Sequence, residues 1–354
     1  MIRNQIRNPL GDSYMNKQIL AAAVAAAMAL PAVALADASI YGRAHVSFDM
    51  MDNDDSAPND YSATNISNNS SRIGVRGSHE INEDITGIWQ VESNFEAAGD
   101  SSNGRLGTRN TFVGMEGGFG RVRVGYSDTV TKGISRATDL FGDQAGDSRN
   151  MLNGLGDQRF RNAAFYDSPK LGAISFGINY STNNNSDIAA DGNDDSAYSI
   201  AGVFKEGPLY VGLGYEQRDF VAGTDSTATR LGAYYDFDAL RVTGLYQMGT
   251  TTADEDVDTY GIGLRYKMGA MAFKGQYYVT SNDVDNSDSN MLALGVDYNL
   301  SKQTSLYVAY AMTDNDDGAS YSPAGGGHGD DFDTVGSSPS IFSIGVKHNF
   351  KFDL

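Results

Sequence analysis

From residue 39 to the end of the chain, apolar and polar side chains alternate with a period of two, the spacing of strands whose faces meet different surroundings. In the first such segment Ile40, Ala44, Val46 and Phe48 share one face with Gly42, and Tyr41, Arg43, His45, Ser47 and Asp49 share the other. Leu231, Ala233 and Tyr235 alternate with Arg230, Gly232 and Tyr234. At the C-terminus Phe342, Ile344, Val346, His348, Phe350 and Phe352 alternate with Ser343, Gly345, Lys347, Asn349 and Lys351. Sixteen segments of this kind begin near Ser39, Ser70, Ile85, Arg109, Gly120, Arg159, Leu171, Ala197, Pro208, Thr229, Ala239, Thr259, Ala270, Met291, Lys302 and Ser340. Short connections at 116–120, 167–170, 205–207, 236–238, 267–269 and 299–301 alternate with long ones at 51–69, 181–196, 250–258, 281–290 and 313–339. No amphipathic helix supplies a second layer to cover the apolar faces, so lipid must cover them. The pattern therefore predicts an all-β fold, a 16-stranded antiparallel transmembrane β-barrel with short turns at one end and long loops at the other. Tyrosines near strand ends, among them Tyr41, Tyr126, Tyr166, Tyr180, Tyr210, Tyr246, Tyr278, Tyr298 and Tyr310, are expected at the membrane boundary, where the hydroxyl stays wet.

The segment before the first strand changes the compartment. Residues 15–36 read MNKQILAAAVAAAMALPAVALA, a Lys-bearing start, an apolar run and small residues at Ala34 and Ala36, the pattern of a cleavable bacterial export signal. Residues 1–14 precede the natural start Met15 and read as an upstream extension, leaving 37–354 as one barrel domain. The formal charge of -19 opposes nucleic-acid binding, and the absence of cysteine removes thiol catalysis and thiolate metal sites. His45, His79, His328 and His348 lack ligand spacing, and no nucleophile-elbow, zincin or phosphate-loop motif occurs, so no enzyme chemistry and no cofactor are expected. Acidic runs at 52–55, 191–195 and 314–317 read as solvated loop faces, with weak Ca or Mg binding as the alternative; EF-hand spacing is absent.

The stretch 127–158 interrupts the alternation for too long to be an idle connection. It carries Asp128, Asp139, Asp143, Asp147 and Asp157 together with Lys132, Arg136 and Arg149. Basic residues are scarce, yet Arg43, Arg72, Arg76, Arg109, Arg123, Arg159 and Arg161 recur on the strand phase assigned to the interior, with Gln90 and Glu92 beside them. An inward-folded segment would set Asp139, Asp143 and Asp147 across the water path from these arginines, narrowing it and imposing a transverse field.

The segments SSRIGVRGSHEINEDITGIWQVESNF (70–95), GRLGTRNTFVGMEGGFGRVRVGY (104–126) and RFRNAAFYDSPKLGAISFGINY (159–180) occur in the order expected of the Gram-negative general-diffusion porin family, which the whole exported chain resembles. The resemblance implies a trimer of identical subunits, each barrel with its third external loop folded into the pore, standing in outer-membrane lipid and lipopolysaccharide and passing small hydrophilic solutes. It also implies that residues 139–143, DLFGD, occupy a loop tip that usually has Glu-Phe-Gly-Gly character, with Asp143 where the second glycine is expected. By the same resemblance Arg109 and Arg159 are wall arginines with Arg72, Arg76 and Arg123 as neighbours. The terminus departs from the family, ending FKFDL rather than in Phe. The competing readings are a sugar- or anion-selective channel and a nonchannel surface adhesin with a plugged lumen.

Overall fold

The computed structural model describes residues 37–53, 62–98, 106–184, 195–219, 225–325, 328 and 335–354. The expected export signal and upstream extension lie outside the described residues, as do most of the acidic runs at 52–55 and 191–195. The strands are β1 (Ser39–Asp52), β2 (Ser62–Asn68), β3 (Arg72–Asn82), β4 (Ile85–Asn94), β5 (Thr111–Gly117) and β6 (Gly120–Asp128). After a loop bearing helix α1 (Val130–Thr138) and a 3-10 helix (Ser148–Met151) come β7 (Arg159–Asp167), β8 (Ile174–Ser181), β9 (Ala197–Glu206), β10 (Leu209–Arg218) and β11 (Ser226–Phe237). The chain ends with β12 (Leu240–Thr250), β13 (Asp256–Met268), β14 (Met271–Asn282), β15 (Ser289–Asn299), β16 (Thr304–Asn315) and β17 (Ser340–Asp353).

Apart from β2 and β3, which do not pair with each other, each strand pairs antiparallel with its sequence neighbours, and β1 closes the sheet against β17 from Ser39↔Asp353 to Asp52↔Ser340. Both β2 and β3 pair with β1, so they are two halves of one stave broken at 69–71, where Ser70 takes φ +55°. The barrel thus has sixteen staves. The connection expected over 51–69 is shorter than the sequence pattern suggests, because 62–68 continue the sheet. Closure removes every sheet edge, which a barrel in lipid requires.

Side chains obey the phase read from the sequence. Leu231, Ile262, Leu264, Leu294 and Ile344 are exposed on the outside, while Ser47, Asp49, Arg230, Thr259 and Ser343 are buried inside. Three tyrosines correct the boundary expectation. Tyr41 donates to Glu92 Oε2 at 3.0 Å, and Tyr210 and Tyr278 are buried in the lumen at 7% and 2% exposure. The inward Tyr278 ring lies across Gly261 of the paired strand, where a Cβ would sit 2.1 Å from the ring. Only glycine at that position leaves room for an aromatic laid flat on the wall.

Candidate functional site

The third long connection, 129–158, leaves the rim and lines the lumen. Thr129 caps α1, its Oγ1 accepting from Lys132 N. The wall receives the first turn: Val130 N donates to Asn179 Oδ1 at 2.7 Å and Thr131 N to Ser199 Oγ at 3.3 Å. The buried side of α1, centred on Ile134, lies over wall glycines; a Cβ on Gly232 would come within 2.5 Å of it. Asp139 then turns the chain, its Oδ1 accepting from Phe141 N, Gln276 Nε2 and Ser148 N at 3.0, 3.0 and 3.3 Å. Phe141 is fully buried against Ala293, Ala309, Ala311 and Ile341. Lys274 locks it there, with Nζ 4.4 Å from the ring centroid, donating to Leu140 O at 3.1 Å and pairing with Asp297 at 3.0 Å.

Gly146 takes φ +81° where a Cβ would stand 2.3 Å from Ala293 Cβ, so the tip touches the wall backbone to side chain. Its N–H donates to Pro323 O at 2.7 Å, which brings the last long connection onto the tip. On the same side His328 Nε2 lies 3.2 Å from Asp49 Oδ2, both side chains fully buried. The loop returns through Met151, whose carbonyl accepts from Thr259 and Thr280 at 3.0 and 2.8 Å. Arg230, fully buried, donates to Leu155 O, Gly156 O and Thr131 O at 2.7, 2.9 and 3.3 Å.

Opposite this anchored back, the loop presents charge to the water path. Asp143 pairs with Arg43 at 2.9 Å and Arg149 at 2.8 Å, with Arg72 at 3.6 Å. It does so at φ +60°, the left-handed conformation that a glycine would supply and that Asp tolerates better than most residues. Asp143 therefore keeps a turn of the kind glycine makes and adds a carboxylate to it. Burial pushes the Asp143 carboxyl up, but Arg149, Arg72 and Arg43 outweigh it and hold the pKa well below the usual range. Asp147 caps the 3-10 helix and grips Arg149 at 2.6 Å. Asp139 goes the other way: its carboxyl is hemmed in by the loop, and burial followed by the Asp147 charge raises its pKa to about 7.

Because Asp139 holds its proton more tightly when folded than when unfolded, its linked stability falls as pH rises from the ordinary carboxylate range through about 7. Over the same interval the narrow space gains one negative charge. Anion-to-cation permeability should therefore fall by roughly threefold between pH 6 and 8, the effect of one half-screened charge about 6 Å from the ion. Asp139→Asn should flatten that step; reversal potentials that titrate identically in both proteins would refute the assignment.

Arg43 and Arg72 are the two sequence-predicted arginines that meet the loop tip, around a space of about 210 Å³ also lined by Arg136, Arg149 and Lys347. Arg109 stands on the adjoining wall, held by Glu92 at 2.7 Å and Asn94 at 3.0 Å. Arg159 pairs with Asp128 at the loop's root, 2.9 Å away. Arg123 is engaged by Asp167 at 2.9 Å and flanked by the Phe112 and Phe165 rings. Arg76 lies over the Tyr41 ring near the short-turn end, and Arg161 lies exposed over Tyr126; neither ion-pairs with the loop carboxylates among the described residues. The sequence reading did not single out Lys347, although it falls on the polar phase, nor the anchors Arg230, Lys274, Gln247 and Gln276. Among the described residues no group of three or more His, Asp or Glu could hold a metal ion.

The chain is 28% identical over 341 residues to a major outer membrane protein P.IB of Neisseria meningitidis serogroup B, covering 88% of this chain and 98% of that one. It is also 28% identical to the outer membrane porin protein 32 of Delftia acidovorans, over 95% of this chain and 100% of that one. The solved anion-selective porin from Comamonas acidovorans superposes with TM-score 0.75 at 23% identity, covering 88% of this chain and 99% of that one. The OmpF of Salmonella typhi superposes with TM-score 0.65 at 15% identity over 88% and 97%. The sequence model described as Gram-negative porin matches residues 21–318. A closed barrel with lipid-facing apolar rows and a charged lumen is the architecture such a match requires, and this chain belongs to the Gram-negative porins, outer-membrane channels rather than enzymes.

Proposed function

We propose that the water path through this barrel is gated by size and by the field between the 129–158 loop and the wall, and that the field favours small anions. The observation that carries this is the local charge balance. Five cations, Arg43, Arg72, Arg136, Arg149 and Lys347, share the narrow space with three carboxylates, Asp139, Asp143 and Asp147. Asp143 alone answers Arg43 and Arg72, whereas Arg149 is shared with Asp147 and Asp157 and Arg136 faces Asp128 at 3.6 Å; no carboxylate oxygen lies within 4 Å of Lys347 among the described residues. The chain as a whole is acidic, but only charges within a Debye length of roughly 8 Å act on an ion in the constriction. The anion selectivity named for the Comamonas acidovorans porin agrees with this reading.

Solutes pass without a covalent step or coupled energy. Residues 15–36 serve export, and three identical subunits assemble in lipid and lipopolysaccharide, as the porin resemblance implies. In planar bilayers under a KCl gradient, the full exported chain should give stable conductance steps and a reversal potential of the sign set by chloride. A potential of the potassium sign would overturn the field assignment; absence of steps would overturn the channel.

A further inference from the structure

On the long-loop side of the constriction a second cavity, of about 610 Å³, lies between the 129–158 loop and the connections after β12, β14 and β16. That size falls within the ~300–1,000 Å³ of small-molecule sites. Its chemistry differs from that of the tip. The Arg149 guanidinium at its edge is already taken by Asp143, Asp147 and Asp157 at 2.8, 2.6 and 3.8 Å. Glu255, in the connection after β12, has no cation within 4 Å among the described residues. An anion would therefore meet an uncompensated carboxylate and no free positive charge.

The remaining polar lining is amides and hydroxyls, with the Tyr321 ring and the smaller apolar side chains of Val284, Ala319 and Ala324 beside them. Asn150 is held by its backbone, N–H to Asp147 O at 3.0 Å, yet neither the oxygen nor the nitrogen of its carboxamide has a protein partner although both are buried. Both atoms are closed off from solvent, so the carboxamides offered to a solute in the cavity are those of Asn153 and Asn282. Tyr321 is fixed by its own backbone: its N–H donates to Asn315 Oδ1 at 3.1 Å and its carbonyl accepts from Thr313 and Asn315 at 2.8 and 2.9 Å. Its half-buried ring packs on the cluster containing Met151, Leu152 and Tyr278 and borders the cavity. A rigid aromatic edge beside carboxamides and a lone carboxylate matches a ligand with a C–H face and a rim of hydroxyls.

From this arrangement we infer that the cavity is a docking subsite for neutral polyhydroxylated solutes, sugars of one or two rings, placed ahead of the basic constriction. The inference rests on the channel reading and adds a solute class to it. Asn153, at φ +49° in the 129–158 loop, and Glu255, in the connection after β12, both line the cavity and would share the hydroxyl contacts.

The test uses the full exported chain in planar bilayers, with maltose added on the long-loop side and polyethylene glycol of equal hydrodynamic size as the viscosity control. Maltose should depress the current beyond that control and add concentration-dependent noise, with weaker block from the short-turn side. In a Glu255→Ala/Asn153→Ala variant, block taken as a fraction of its own sugar-free current should need at least fivefold more maltose. Equal depression by maltose and polyethylene glycol, or equal block of variant and parent, would overturn the subsite while KCl steps still upheld the channel. Block by glucosamine without block by maltose would overturn the neutral class. Absence of steps in KCl would end both readings.

Discussion

Lys347→Glu should lower the anion-to-cation permeability ratio by about tenfold, the largest shift in selectivity expected from one substitution in this barrel. A unit charge about 6 Å from a permeating ion in a water-like dielectric is worth about 0.7 kcal/mol, and screening at physiological salt halves it. The substitution changes two charge units and acts on anion and cation with opposite sign, so the difference reaches about 1.3 kcal/mol, close to tenfold. Structural cost should be small, since Lys347 makes no ion pair among the described residues and opposes His45 and Ser305 across the sheet. Reversal potentials in a KCl gradient read the change directly. A ratio unmoved within twofold would mean that the ion never passes near β17, and the constriction would have to be redrawn around Arg109 and Arg159.

The barrel was legible because a single sheet has one inside and one outside. Once Arg230, Gly232 and Tyr234 alternate with Leu231, Ala233 and Tyr235, lipid is the sole surrounding that can cover the apolar row, and the strand phase follows. The same phase already placed Tyr210 with Gly212 and Gly214, facing inward; strand-end position suggested the boundary instead, and the buried ring shows that phase outranks position. Within the site, the meeting of Asp143 with Arg43 and Arg72 could be read because scarce arginines stood on one phase opposite an acidic insertion.

Lys347 lay on that phase as well, but it joins the cluster only because β17 closes against β1, setting residue 347 opposite residue 45. Pairing between the first and last strands is a consequence of closure that no local pattern carries. Arg230, Gln247, Lys274 and Gln276 were illegible for another reason. Most of their partners are loop carbonyls and a neighbouring wall amide, and even the Asp139 carboxylate reaches Gln276 only through the fold of the loop, so little in side-chain chemistry marks them before the path of 129–158 is known.

That path depends most on Arg230, and Arg230→Ala should detach the return arm of the loop while leaving the barrel closed. The guanidinium is fully buried and serves three backbone carbonyls together with Gln247 Oε1, its Nε donating at 2.9 Å; the nearest carboxylate, on Asp157, is 4.0 Å away. Removing it leaves the carbonyls of Thr131, Leu155 and Gly156 without this donor, and each unpaired buried acceptor costs about 1–3 kcal/mol. Lumen water can recover part of that, so a net local loss of about 3 kcal/mol is expected, near the low end for breaking a buried charged network. The open form of the loop should then rise roughly a hundredfold. Trypsin cleavage at Lys132, Arg136 and Arg149 should accelerate by that factor, and single-channel current should become noisier, while the sixteen-stave barrel keeps its resistance to detergent denaturation. Arg230→Lys retains the charge but not the planar fork and should fall between the two. Cleavage at the parental rate in Arg230→Ala would show that Lys274, Gln276 and the threonine pair at Met151 suffice to hold the loop, and that the buried arginine serves the wall alone.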